Sequence, residues 1–219
     1  MPTPRQRYRE QVRREIKQVA LAQIGDGGAS TLSLNAVARH LGMTGPAIYK
    51  YFDSRDSLLA ELILDGFGEV AAAVRTGVSE GEPRARLHAL ARAFHSWVVA
   101  HPHLFQLLAG TSPESVQRAR DVLGPFLPVF GQGRCGAAAG PLREEMRRWA
   151  EETPAVAEWV RAYAPDADPA TALTGTVMVW ARLQGVVSLE VQGQFTGMGH
   201  RATTLLTAEM ESLADMMGL

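Results

Sequence analysis

Cysteine is almost absent: Cys135 is the single one in 219 residues. One thiol closes no internal disulfide, which fits a reducing cytoplasm. Lysine is nearly as scarce, with Lys17 and Lys50 the only two. No run of about twenty apolar residues occurs, so no membrane-spanning helix is expected. Met1 to Tyr8 is polar and basic and lacks the apolar centre of a signal peptide. Strict apolar–polar alternation, the mark of a half-buried strand, is missing too. So are the residue sets of common catalysts: there is no Ser-His-Asp arrangement, metal motif, Gly-rich phosphate loop or catalytic carboxylate pair. Glu144-Glu145 and Glu151-Glu152 read as solvated helix faces. His101 and His103, two apart, face different directions on a helix; with His95 they read as cap or surface residues rather than metal ligands. No enzyme activity, cofactor or metal is expected.

What is present has the period of helices. Apolar residues make up 46% of the chain, enough for a core. An all-α fold is expected, with a first helix near 6–25, short helices at 33–41 and 45–51, and a fourth at 54–77. Gly77 to Pro83 reads as a loop. Further helices follow near 87–100, 102–109 and from 113 to the break at Gly124-Pro125. Gly131 to Gly140 reads as a mobile Gly/Ala stretch. Two short helices split at Pro154, an acidic linker at 164–169 and two long helices, 169–192 and 198–217, complete the chain. The expected organisation is a small domain over 1–53, a connecting helix over 54–77 and a larger domain over 78–219.

Net charge is −1, yet it is unevenly spread. Residues 1–60 hold nine basic and five acidic side chains, a balance of +4, which leaves −5 for the rest. A basic end on an acidic body suits a small nucleic-acid-binding domain joined to a regulatory one. Within that end, Ser33 is a good N-cap for Leu34, Val37, Ala38 and Leu41, and Gly42 supplies the left-handed turn that closes the helix. Thr44 can cap the next helix and its hydroxyl can also meet a DNA phosphate, with Pro46 in the helix's first turn. Ile48 and Phe52, four apart, form its buried edge. Two short helices joined by such a turn make a helix-turn-helix, whose second helix enters the major groove of double-stranded DNA.

The candidate DNA contacts follow from that reading. Gly45 lets backbone approach DNA, or is a plain turn residue. The N–H groups of Gly45 and Ala47 point positive dipole at the groove. Pro46 lies on an available face. Tyr49 and Tyr51 can donate to phosphate, though one of them could instead pack on the core. Lys50 and Arg55 are the expected cations of the DNA face. Ser33, Asn35 and Arg39 project from the second helix, which crosses the backbone; Arg39 is equally a solvated surface residue. Arg5, Arg7 and Arg9 form an arm that either follows the minor groove or stays disordered. One copy reads only a few base pairs, so two copies and a near-palindromic site are expected.

The stretch Thr31 to Leu62, TLSLNAVARHLGMTGPAIYKYFDSRDSLLAEL, resembles the N-terminal domain of the tetracycline-repressor-like (TetR) transcriptional regulators. The likeness covers about residues 8–70. Trp180 to Gly185, followed by Leu189-Glu190, is similar to a subgroup with a Trp-x-x-x-His-Gly pattern; Gln184 stands at the His position. The resemblance implies an all-helical homodimer in the bacterial cytoplasm. It also implies a C-terminal ligand-binding and dimerisation domain and repression relieved by a small molecule.

Two expectations concern the larger domain. Leu205, Leu206, Met210, Leu213 and Met217 on the last helix, with Val177 and Ala181 on the one before, form an apolar face. It suits a four-helix interface between copies, or packs inside its own domain, or both. Phe94, Trp97, Phe105, Leu108, Phe126, Met178, Trp180 and Gln184 are candidates for a pocket taking a neutral, largely apolar effector, against the alternative of simple core. Effector binding would move the sixth or seventh helix, lever the fourth and change the spacing of the recognition helices. The rivals are a ligand-independent architectural DNA-binding protein and a helical enzyme.

Overall fold

The computed structural model describes residues 3–109 and 113–219. Those residues form α-helices and short 3₁₀ turns, with no strand among them. In chain order the helices are α1 (Pro4–Gly27), α2 (Leu34–His40), α3 (Gly45–Ile48), α4 (Arg55–Thr76), α5 (Pro83–Ala100) and α6 (Pro102–Ala109). They continue with α7 (Pro113–Leu123), α8 (Leu127–Phe130), α9 (Gly140–Glu152), α10 (Pro154–Tyr163), α11 (Pro169–Val191) and α12 (Ala202–Met216).

They divide into two compact units. The first takes the described residues up to Phe67 and those from His101 to Ala109; the second takes the rest. The division therefore falls inside α4 rather than in the loop after Gly77, and it returns α6 to the small unit. Packing explains this. Leu104 and Leu108 of α6 lie so close to Gly66 that a Cβ there would sit 3.0–3.1 Å from them. Gly25 of α1 likewise leaves room for the His103 ring.

In the first unit, local chemistry sets each boundary. Thr3 and Gln6 form a capping box at the start of α1, with Pro4 in its first turn. Ile16, Ala20 and Ile24 bury one stripe of that helix. The Ser33 hydroxyl accepts from the Ala36 N–H and starts α2. Gly42, at φ +66°, ends it: Met43 N–H reaches the Ala38 carbonyl at 2.8 Å and Gly42 N–H the Arg39 carbonyl at 3.2 Å. That pair of bonds is a Schellman motif, and the positive φ suits glycine. Ser54 and Ser57 cap α4 reciprocally, each backbone N–H donating to the other's hydroxyl.

The second unit is built around α11. By length and composition this helix could cross a bilayer, contrary to the reading of the sequence, yet half of its apolar window is buried in protein. Asp168 caps it through the Thr171 N–H. It packs against α5, α8, α9, α10 and α12. Gly175 lets the Phe130 ring lie on the helix backbone: a Cβ there would come within 2.2 Å of the ring. Leu127, Val156, Val160 and Leu173 fill the space beside Trp149, Trp159 and Tyr163.

Polar ties fasten the rim of this unit. Arg84 of α5 bonds Glu211, Asp215 and the Leu219 carbonyl, and His88 meets Glu211 at 2.7 Å. The stretch from Gly131 to Gly140, expected to be mobile, is pinned instead. Arg134 N–H donates to the Met217 carbonyl at 2.8 Å and Gly136 N–H to Met216 at 2.9 Å. Ala139 is buried.

Candidate nucleic-acid interface

The element expected to read DNA is shorter than its sequence suggests. Regular α-helix covers only Gly45–Ile48, not 45–51. Beyond it the chain continues in tight turns, with Lys50 N–H on the Ala47 carbonyl (3.3 Å) and Tyr51 N–H on Ile48 (2.9 Å). Ile48 and Phe52 are buried and anchor the turn. Pro46, Tyr49 and Lys50 face outward, Tyr49 being 47% exposed. The Lys50 ammonium has no partner among the described residues.

Three details change the expected chemistry. The Thr44 hydroxyl, read first as a cap, makes no capping bond and remains exposed. The Ala47 N–H, expected to face DNA, donates to the Thr44 carbonyl at 2.9 Å. A single helical turn also sums few peptide dipoles, so the dipole contribution expected there is small. The polar groups this edge offers are side-chain cations and hydroxyls. Around Gly45 there is space: a Cβ would meet only Asn35 Oδ1, at an ordinary 3.5 Å.

The basic N-terminus is no arm. Arg5, Arg7 and Arg9 are helical residues of α1, started by the capping box. Arg5 and Arg9, four apart, line one groove with Gln6, Lys50 and Tyr51. Arg7 is exposed on another side of α1. Arg9 Nη2 donates to the Lys50 carbonyl at 3.2 Å.

Arg55 is turned inward. It donates to the carbonyls of Ala29 (2.6 Å) and Leu32 (3.2 Å) and pairs with Asp56 at 2.9 Å. It is a strut between the start of α4 and the segment joining α1 to α2 rather than an unengaged cation. Ser33, Asn35, Tyr49 and Arg55 nevertheless line one groove. Arg39 lines a different one, with Gln18, Gln23, Asp26 and His40.

Sequence reasoning missed Arg13. Its guanidinium donates to the Tyr51 carbonyl and to Glu61, and stacks on the Phe52 ring at 4.2 Å. Lys17, one turn on, pairs with Glu61 (3.0 Å) and Asp65 (2.7 Å). The signal was available as cations at positions 9, 13 and 17, spaced four apart on α1. Partial burial works to raise the Glu61 carboxyl, but hydrogen bonds and charge from Arg13 and Lys17 outweigh it and hold it below its ordinary 4.5. Burial likewise works against Lys17, and bonds from Asp65 and Glu61 leave it above 10.5.

In the second unit the expected sites are partly regrouped. Phe105 and Leu108 belong to the first unit and the other pocket candidates to the second. Phe94 and Trp180 meet edge to face, centroids 5.8 Å apart. Phe126 is wholly core, Trp97 is buried, and Met178 and Gln184 are half-buried. Thr176, which the sequence did not single out, is buried with a hydroxyl that has no hydrogen-bond partner among the described residues.

His95, read as a cap or surface residue, is buried and meets Glu190 at 2.7 Å. No group of three or more potential metal ligands occurs among the described residues. Of the interface candidates, Leu206, Met210, Leu213 and Met217 are buried within their own subunit, since α12 turns its largest side chains toward α5 and α11. Val177, Ala181 and Leu205 remain exposed or half-exposed.

Comparisons with known proteins agree with this architecture. A family model described as "Bacterial regulatory proteins, tetR family" matches residues 16–62. One described as "Tetracyclin repressor-like, C-terminal domain" matches residues 87–213 and names no Trp-x-x-x-His-Gly subgroup. The HTH-type transcriptional regulator Rv1816 of Mycobacterium tuberculosis is 30% identical over 198 residues, covering 85% of this chain and 83% of the relative. The solved structure of regulatory protein SCO4313 is 38% identical with a TM-score of 0.77, covering 97% of this chain and all of that one.

Bacillus subtilis FadR, solved in complex with stearoyl-CoA, is 14% identical with a TM-score of 0.57, covering 92% of this chain and 97% of FadR; the likeness is one of fold. The matching families and relatives are regulators, not enzymes. On this evidence the chain belongs to the TetR family of transcriptional regulators and carries its DNA-binding domain at the N-terminus.

Proposed function

We propose that the chain reads one half of a near-palindromic operator through the turn from Thr44 to Tyr51. The carrying observation is the pairing of buried Ile48 and Phe52 with outward Tyr49 and Lys50. Lys50, Arg5 and Arg9 neutralise phosphate along their shared groove, with no carboxylate lining it. Thr44 and Tyr49 supply hydroxyls to the backbone, while Pro46 and Lys50 meet base edges. Asn35 supports the approach from α2, and Arg55 acts by holding α4 in place.

Two copies are needed for useful specificity, with half-sites about one helical turn apart. The copies pair through the outward sides of α11 and α12, where Val177, Ala181, Leu189, Leu205 and Ala208 remain accessible. The protein works in the cytoplasm as a repressor released by a small, largely apolar effector held in the second unit. Phe94 and Trp180 supply aromatic surface for it, and the unpartnered Thr176 hydroxyl favours an effector with one hydrogen-bonding group. FadR, of the same fold, was solved in complex with stearoyl-CoA, whose acyl chain is apolar.

Selection from a random duplex pool tests the reading. A palindromic consensus bound by a dimer supports it. Binding that is indifferent to sequence at every salt concentration would leave an architectural protein instead.

A further inference from the structure

Regular helix stops at Ile48, and no backbone N–H among the described residues reaches the carbonyls of Lys50 and Tyr51. Arginines of α1 reach them instead: Arg9 takes Lys50 and Arg13 takes Tyr51. The two are four residues apart, so one face of α1 presents two guanidinium groups to two successive carbonyls. Arg13 goes further. Its second nitrogen engages Glu61 of α4, and its plane lies on Phe52, the residue that anchors the turn. Lys17 extends the same face to Glu61 and Asp65.

We propose that Arg13 is a positioning residue for operator recognition, fixing the height of the Tyr49–Tyr51 turn relative to α4 through Glu61. The inference rests on the reading of that turn as the DNA-facing element. Arg13 itself need touch no DNA. Its side chain is 26% exposed and its donors point at protein oxygens. A guanidinium suits the role because its planar fork serves two acceptors while its face stacks on the ring; an ammonium can serve two acceptors but has no plane to stack. The tie makes the position of Glu61 and that of the reading turn one variable. Displacing this part of α4 therefore displaces Tyr49 and Lys50.

The test uses the full-length chain and a duplex enriched from a random pool by the wild-type protein, with a scrambled duplex as control. Arg13→Lys keeps the charge and loses the fork. It should lower the ratio of enriched to scrambled binding about tenfold, while the salt dependence of binding stays unchanged.

Glu61→Gln gives a test of opposite sign. Removing a carboxylate makes the small unit more positive, so bulk electrostatics favours tighter binding to any DNA. The positioning role requires weaker binding to the enriched duplex, by about threefold, with scrambled binding equal or tighter. A salt slope shallower by about one in Arg13→Gln, which removes the charge, would make the residue a direct phosphate contact and overturn the proposal. So would an unchanged specificity ratio accompanied only by a lower melting temperature. Failure of the wild-type protein to enrich any duplex would overturn the reading beneath it as well.

Discussion

In the first unit, Arg9 and Arg13 of α1 hold a turn whose Lys50 and Tyr51 carbonyls meet no backbone N–H among the described residues, and Lys17 continues the row to Glu61 and Asp65. The second sets the Phe130 ring into a notch in α11 at Gly175, and its arginine–carboxylate pairs lie at partly exposed positions. A polar carbonyl–guanidinium tie is sensitive to geometry and charge; a close-packed ring is sensitive to volume. The two units should therefore fail differently. Damage to the second should show as lost stability, and damage to the first as lost discrimination between DNA sequences.

The largest expected effect is in the second unit. Phe130→Ala empties a fully buried site and should cost about 3–5 kcal/mol in denaturant unfolding, with the salt slope of DNA binding unchanged. Gly175→Ala should follow at about 1–3 kcal/mol. The new Cβ overlaps the Phe130 ring, and the helix-propensity gain of about 1 kcal/mol does not offset that. A stabilised Gly175→Ala would mean the ring moves aside freely and the notch is not a packing constraint.

In the first unit, Arg55→Ala should cost about 1–2 kcal/mol, because the carbonyls of Ala29 and Leu32 lose their donor. Its salt slope should not change; a slope shallower by about one would return Arg55 to the DNA face. Lys50→Ala should show the reverse pattern. Stability should stay within about 0.5 kcal/mol, and the log–log salt slope should become shallower by about one.

The smallest effect is in pH. The Glu61 carboxyl lies below its ordinary 4.5, so its contribution is present above that value and fades as pH falls through the carboxylate range. Lys17 is raised above 10.5, so its contribution is present below that value and fades only in stronger alkali. Chemical unfolding followed from pH 6 downward should thus show a slightly flatter acid loss in Glu61→Gln than in wild type.

Much of the small unit was legible because its signals are local. Ser33 and Gly42 bound α2 as their chemistry requires, and Ile48 with Phe52 marks a buried edge four residues apart. The early end of α3 was not legible, since the Lys50 and Tyr51 carbonyls just beyond it are taken by arginines about forty residues away. The basic N-terminus looked like an arm because charge was weighed before capping; Thr3, Pro4 and Gln6 carried the helix signal. On α12, Leu206, Met210, Leu213 and Met217 have the same period whether they face a partner or their own core. Only packing against α5 and α11 decides between the two. Gly131 to Gly140 read as loose from composition, but bonds to Met216 and Met217, near the other end of the chain, hold it.

The most direct test of the central claim, that the outward turn around Lys50 reads DNA, is a fluorescence anisotropy titration across a salt series. It would compare wild type and Lys50→Ala on the enriched and scrambled duplexes. Expected are selective binding by the wild type and, in the variant, a shallower salt slope with reduced selectivity. Equal binding of both duplexes by the wild type, or a variant indistinguishable from it on both, would contradict the assignment.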